Sequence, residues 1–415
     1  LNRLFTIVFI IASVFIAISV IGGLVWGNIL FVQQNPGGRD FLVPWSAART
    51  FIEYGISPYD DPASQRTQIL FYERMASEGE NPLRFAMPFP VLLFYIPFAL
   101  IKNFIISRAI WMIFMEAALA AAAYLSLRLA GRRLPFLLTV LYILFALLWF
   151  HALMPLIGGS VIVFALLFVA GGLSALREEK DELAGALFAL LLFSPRIAGI
   201  FLIFIFWWVI HHRRWRVLGG AGMALGLLLL LSFLLMPGWV SEFFWAALSQ
   251  WKFMVSYSTF GFLGEWSPGI GPQLAWLITI IAVILFFVAW YAARDGDWRH
   301  FLWTAAITLA LTPFLGLPIS PMDYVIMLFP LTLILAVISE RWSPRRWFFS
   351  ILWLIFLFAG QWGLVWGILQ SGSLEMIPPI VFVAIPLFCV VGLYWLRWWA
   401  IRPPRIWIDK VKGIP

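Results

Sequence analysis

LFTIVFIIASVFIAISVIGGLVWGNILFV, residues 4–32, runs without a single charged side chain. It is longer than the roughly 20 apolar residues that cross a bilayer core as a helix. It lacks the period of two that a barrel strand carries, so it reads as helix. It is also too long for the apolar core of a signal peptide and has no small-residue cleavage pattern, so it reads as a retained membrane helix. Comparable runs recur along the chain as far as Trp399.

The composition agrees with that reading. Of 415 residues 63% are hydrophobic and 12% charged, whereas a soluble domain carries about 25% charged residues. In lipid only helices or closed barrels satisfy their own backbone. The expectation is an all-α integral membrane protein, a single polytopic domain over residues 1–415 with about 12 transmembrane helices. Tryptophans cluster near run ends, as at Trp207, Trp208, Trp398 and Trp399, where an aromatic belt would sit. The one cysteine, Cys389, lies inside an apolar run, so no intrachain disulfide framework exists. The net charge of +8 falls in short clusters between runs. That is the pattern of cytoplasmic loops, so no nucleic-acid partner is expected.

Those clusters orient the chain. Arg128/Arg132/Arg133, Arg177/Lys180, Arg213/Arg214/Arg216, Arg294/Arg299, Arg341/Arg345/Arg346 and the tail from Arg397 to Lys412 are all assigned to the cytoplasm by the positive-inside rule. Two threadings compete. In one, residues 88–102 cross the membrane and 181–210 form one long helix, which leaves five basic residues outside. In the other, 88–106 is a re-entrant or surface segment and 181–210 is two short helices meeting at Ser194-Pro195-Arg196. The second keeps every strong basic cluster inside, and Pro195 is a natural break. It is adopted here, with both termini cytoplasmic and the protein in the plasma or inner membrane.

Two outer segments are then long, residues 33–106 and 237–271, and long structured loops are usually functional. In the first, residues 44–54 are expected to form a short helix with Trp45, Ala48 and Ile52 on one face. A second helix starts at Asp61-Pro62, with Ile69, Tyr72 and Met75 on one face and Gly79 as its stop. Both fit amphipathic helices lying on the outer membrane surface.

Few residues there can carry chemistry. Asp40, in Gly37-Gly38-Arg39-Asp40-Phe41, directly follows the first membrane helix. It is placed for general-base work or for capping the helix near Pro44. Arg196 brings a guanidinium to a broken helix pair, suited to a phosphate or to snorkelling at a helix end. Asp323 has the two readings of helix cap and sugar ligand. Glu116, inside an apolar run, is expected to pair with a polar neighbour in the bundle. The four histidines show no metal-ligand spacing, and no H-E-x-x-H, C-x-x-C or P-loop element appears. A site on the outer face has no access to cytosolic nucleotide sugars, so any activated donor must be carried by lipid.

Asp40-Phe41-x-Val43-x-Trp45-x-x-Ala48 followed by Gly55-Ile56-Ser57-Pro58-Tyr59-Asp60 resembles the opening of polyprenyl-phosphate-mannose-dependent mannosyltransferases. These form glycosyltransferase family 87 of the GT-C superfamily. The likeness continues through Met87-Pro88-Phe89-Pro90, Gly158-Gly159-Ser160 (where the family often reads Gly-Gln), and the stretch 190–196, where it commonly has Lys-Pro. It ends with Arg213-Arg214-Trp215-Arg216, Met236-Pro237-Gly238-Trp239 and residues 318–324, and covers about two thirds of the chain.

The resemblance implies a GT-C fold with a catalytic Asp in the first outer loop and a lipid-linked sugar donor. Asp40 matches that Asp, and Arg196 takes the place of the family's Lys. The expected reaction is an inverting transfer of a sugar, mannose by resemblance, from a polyprenyl-phosphate donor to a glycolipid or glycan acceptor. Asp40 is the base, and Arg196, Lys252 and Arg84 hold the donor phosphate. Arg39, Tyr59, His151, Glu265, Asp323 and Tyr324 are candidates to bind the substrates. By the same resemblance, no cofactor and a metal-independent reaction are expected. The competing readings are a lipid or polysaccharide transporter without transfer activity and a non-catalytic glycan-binding subunit.

Overall fold

A computed structural model describes residues 3–35, 37–131, 134–253, 258–342, 345–370 and 380–401. Arg132, Arg133, the turn at 371–379 and the basic tail beyond residue 401 lie outside the described residues. In chain order the helices are α1 (Arg3–Gln34), α2 (Arg39–Tyr54), α3 (Asp61–Tyr72), α4 (Phe89–Ala99), α5 (Phe104–Leu129), α6 (Phe136–Leu148), α7 (Phe150–Gly158), α8 (Ile162–Arg177), α9 (Asp181–Leu190), α10 (Pro195–His211), α11 (Trp215–Leu235), α12 (Trp239–Gln250), α13 (Thr259–Trp266), α14 (Gly271–Ala293), α15 (Trp298–Leu311), α16 (Leu328–Arg341), α17 (Arg346–Gln370), α18 (Ile380–Trp395) and α19 (Arg397–Ile401). No strand occurs among the described residues.

Five stretches among the described residues are long and apolar enough to cross a membrane: α5, α11, α14, Pro321–Arg341 and Arg346–Gly367. The pair α6–α7, bent by 54° at Trp149, makes a sixth if it is one broken span. The chain is thus a multi-pass helical membrane protein. Several other apolar runs fold as helices of 10–17 residues, among them α4, α8 and α10.

The chain divides into two compact units. The first comprises residues 1–118, 156–160 and 229–253. Here α2 begins five residues earlier than expected, at Arg39 rather than Pro44, after Gly38 in the left-handed region (φ 87°). Pro44 therefore sits inside the helix. Having no N–H, it leaves the Asp40 carbonyl without its usual i+4 donor. Gly55, also left-handed, ends α2 by donating its N–H to the Phe51 carbonyl.

The second surface helix is shorter than expected. α3 stops at Tyr72, with Glu73 in the left-handed region, before Met75 and Gly79 are reached. It buries Ala63, Ser64, Thr67 and Gln68. Gln68 Nε2 donates to Ser64 Oγ (3.0 Å) and to the Pro82 carbonyl (2.9 Å). Ile69, Leu70 and Phe71 stay exposed, which suits a helix whose outer side meets lipid. α4 spans only 11 residues, about 16 Å of helix, too short to cross the core alone. It packs on α2, and the Phe98 carbonyl near its end accepts from both Trp45 Nε1 (3.1 Å) and Ser107 Oγ (2.8 Å).

The second unit comprises residues 119–155, 161–228 and 254–415. α9 ends in a short 3-10 turn, the chain breaks at Ser194, and Pro195 opens α10. Arg214, just past α10, pairs with Asp181 at the start of α9 and donates to the Leu176 carbonyl (2.9 Å). Arg177 in turn donates to the Arg128 and Leu129 carbonyls (3.0 and 3.2 Å). Arg128, Arg177 and Arg214 therefore gather at one end of this unit, where the last two complement helix C-termini. The turn at Ser194 faces the other end. α9 crosses the first turns of α11 so closely that a Cβ on Gly185 would lie 1.9 Å from the Val217 carbonyl oxygen. A Cβ on Gly220 would lie 2.1 Å from that of Glu182. Small residues of this kind let membrane helices approach. The Pro321–Arg341 stretch is 89% buried, whereas the membrane windows of α11 and α14 are each 22% buried. One is a core helix, and the others turn most of their surface outward.

Candidate active site

In the first unit Asp40 is the second residue of α2 and is half-buried. The residues on either side of it are held tightly. Gly38 packs on the guanidinium of Arg108: a Cβ there would lie 2.5 Å from Arg108 Nε. The Phe41 ring stacks on Trp111 (centroids 5.4 Å apart) and on Phe104 (6.0 Å). On its other side Phe41 meets Gly159 (φ 78°), where a Cβ would lie 2.4 Å from that of Phe41. Tyr95 stacks on Trp111 (4.8 Å), and its fully buried hydroxyl has no hydrogen-bond partner among the described residues. The Asp40 charge reaches that hydroxyl electrostatically.

The other candidates of this unit fall into two kinds. Arg39 and Lys252 are exposed, with the Lys252 ammonium over the Phe253 ring (5.0 Å). Arg84 pairs with Asp61, and its carbonyl receives Gln250 Nε2 at 3.4 Å. Tyr59 is buried, and its hydroxyl donates to the Met87 carbonyl (2.8 Å). Burial, aided by the Glu242 carboxylate, pushes its phenol well above the ordinary value. Ser57 donates to Glu242 (2.5 Å) and accepts from the Tyr59 N–H (3.2 Å). The Ser57-Pro58-Tyr59 turn is thereby tied both to the Pro-rich stretch and to α12. Glu116 has the polar neighbour expected of it: Asn28 Nδ2 donates to its Oε1 at 3.1 Å.

In the second unit Arg196 is exposed one residue after Pro195, at the N-terminal end of α10. His151 is fully buried, with its ring against Trp149 (4.9 Å), Phe150 (5.3 Å) and Tyr324 (5.8 Å). His151 and Tyr324 are thus brought together. Asp323 caps its own 3-10 helix, its Oδ2 accepting the Ser320 N–H at 3.0 Å. Glu265 is exposed near the end of α13.

Sequence reasoning passed over Arg108, Trp111 and Tyr95. The available signal was an arginine inside the apolar run of α5, a position that demands a partner.

No curated protein and no solved structure matches the chain. The family model of glycosyltransferase family 87 matches residues 85–321. That span holds the Pro-rich stretch, Gly158-Gly159-Ser160, Arg196 and Arg213–Arg216, and begins after Asp40 and Tyr59. It covers more than half of a chain built of membrane-crossing helices with a Pro-broken pair carrying Arg196, and on that match the protein belongs to glycosyltransferase family 87, a GT-C-type family of membrane glycosyltransferases.

Proposed function

We propose that this membrane glycosyltransferase transfers mannose from a polyprenyl-phosphate donor to a glycolipid or glycan acceptor on the outer face of the membrane. The chain would cross the membrane about 12 times with both termini in the cytoplasm. Asp40 is the general base. It takes the proton of an acceptor hydroxyl as that oxygen forms its bond to the anomeric carbon. The bond from that carbon to the phosphate oxygen breaks on the opposite side. Its electron pair leaves with the polyprenyl phosphate, and the anomeric configuration inverts. Arg196 stabilises the charge arriving on the phosphate, assisted by Lys252 and Arg84. The position of Arg196 supports this role, because the start of a 17-residue helix adds its own N–H groups and dipole to the attraction of the guanidinium for an anion. No cofactor and no metal enter the scheme.

The observation that carries the reading is Asp40, a half-buried carboxylate at a helix start whose two sides are packed in place. The test is transfer of label from radiolabelled polyprenyl-phosphate mannose, and from other polyprenyl-phosphate sugars in parallel, to extracted membrane lipids by the purified protein. Mannose should be transferred. Asp40→Asn should abolish turnover while donor binding persists, a loss of about 10²–10⁴ in rate. An Asp40→Asn protein with wild-type kcat moves the base elsewhere, and transfer of another sugar alone replaces the donor.

A further inference from the structure

Arg108 is 1% exposed, and two of its three guanidinium nitrogens donate to backbone carbonyls, while the buried Nε has no hydrogen-bond partner among the described residues. Nη1 donates to the Asn35 carbonyl at 2.6 Å and Nη2 to the Ile157 carbonyl at 2.8 Å. Nε faces Gly38. Asn35 is the residue just past α1, and Ile157 lies in the last turn of α7. Three residues along α5, Trp111 Nε1 donates to the Gly159 carbonyl at 3.0 Å. One helical turn of α5 thus meets backbone from two places distant in sequence, at Asn35 and Gly38 and at 157–159. Burying an arginine is costly unless its donors are satisfied, and hydrogen bonds from an ionised donor are the strong kind.

Asp40 lies between the points at which those turns touch α2. Gly38 carries the carbonyl that starts α2, accepting the Phe41 N–H at 3.0 Å and the Leu42 N–H at 2.9 Å. Its other side rests on the Arg108 guanidinium. Phe41 is closed in by Gly159 and by the Trp111 ring. Both glycines are left-handed, with φ of 87° and 78°, where a side chain would be strained and would also collide. These contacts fix the backbone that carries the Asp40 carboxylate.

We propose that Arg108, seconded by Trp111, is the positioning residue for Asp40: it sets where the carboxylate meets the acceptor hydroxyl without touching substrate. The proposal rests on the reading of Asp40 as the base. Its consequence is a loss confined to the chemical step. Misplacing a catalytic group by about 1 Å costs on the order of 10² in rate, while a donor lipid held elsewhere binds as before.

The experiment uses the full chain with Arg108→Gln, Arg108→Lys, Trp111→Phe and, in parallel, Asp40→Asn. Transfer from radiolabelled polyprenyl-phosphate mannose is followed over a range of donor concentrations, and thermal unfolding is measured on the same samples. Arg108→Gln is expected to lower kcat on the order of 10²-fold with donor KM within about twofold of wild type. Arg108→Lys, which keeps the charge and can reach one carbonyl, should recover part of that loss. Trp111→Phe keeps the ring on Phe41, removes only the indole N–H and should lower kcat several-fold. A wild-type kcat in Arg108→Gln overturns the proposal. So does a loss carried by KM, or a fall in activity that merely follows the folded fraction. Where Arg108→Gln does not fold, Trp111→Phe decides, and an unchanged kcat there counts against positioning. If Asp40→Asn retains turnover, the base reading fails and takes this proposal with it. If Asp40→Asn is inactive and Arg108→Gln is normal, positioning alone fails.

Discussion

Arg214 Nε meets Asp181 Oδ2 at 3.2 Å across the second unit. Asp181 opens α9 and Arg214 follows α10, so the two helices return the chain to the end from which it left. A single straight helix over 181–210 cannot make that contact.

The contact leads to a labelling prediction. Gly131 follows Arg128, which Arg177 joins to the same basic end, whereas Gly79 is exposed in the loop after α3. Native Cys389 is fully buried and should contribute little background. A cysteine at Gly79 should react with a membrane-impermeant thiol reagent added to intact cells, and one at Gly131 should not. Labelling at Gly131, alone or together with Gly79, would overturn the adopted threading and remove Arg196 from the outer face.

Arg196 separates a phosphate ligand from a structural arginine. Arg196→Ala should lower kcat on the order of 10²-fold, about 3 kcal/mol of transition-state stabilisation. Arg196→Lys, which keeps the charge, should retain substantial activity, and Arg196→Glu should be the worst of the three. If Arg196→Ala instead unfolds at lower temperature with normal specific activity, its role is to anchor a helix end.

Tyr59→Phe tests whether that hydroxyl reads the substrate or holds the loop. Its bond to the Met87 carbonyl argues for the loop. Removing it should cost about 1 kcal/mol of stability, the net worth of a part-buried hydrogen bond. kcat and KM of the folded fraction should stay at wild type. A raised KM without lost stability would make Tyr59 a substrate ligand.

The crossing of α9 over α11 depends on two glycines. Gly185→Ala and Gly220→Ala each place a methyl carbon against backbone, which cannot step aside as a flexible side chain can. Overpacking costs typically about 1–3 kcal/mol, and a backbone clash falls at or above the upper end. Both variants should show reduced yield of folded protein and a lower unfolding temperature. Wild-type stability in both would mean the helices lie farther apart.

Much was legible in the residues alone. The apolar runs fold as helices, Ser194-Pro195 breaks one of them, and Asp323 caps its own helix. Each depends on local backbone chemistry: a missing N–H, a carboxylate three residues along, a run with no charge. α2 was misjudged at its start because Pro44 looked like a first-turn proline, whereas Gly38, free to adopt φ 87°, had already turned the chain.

Hydropathy reports how strongly a segment avoids water, so the sequence by itself determined that α11, α14 and α16 are apolar helices. It could not say that α16 is buried in protein while α11 and α14 face outward, because lipid and protein interior are equally dry. The same limit hid the surroundings of Asp40. That an arginine in α5 would spend its donors on Asn35 and Ile157, 73 and 49 residues away, follows from no local pattern. Only the tertiary structure brought those carbonyls to it, since a buried charge is satisfied by whatever backbone the packing delivers.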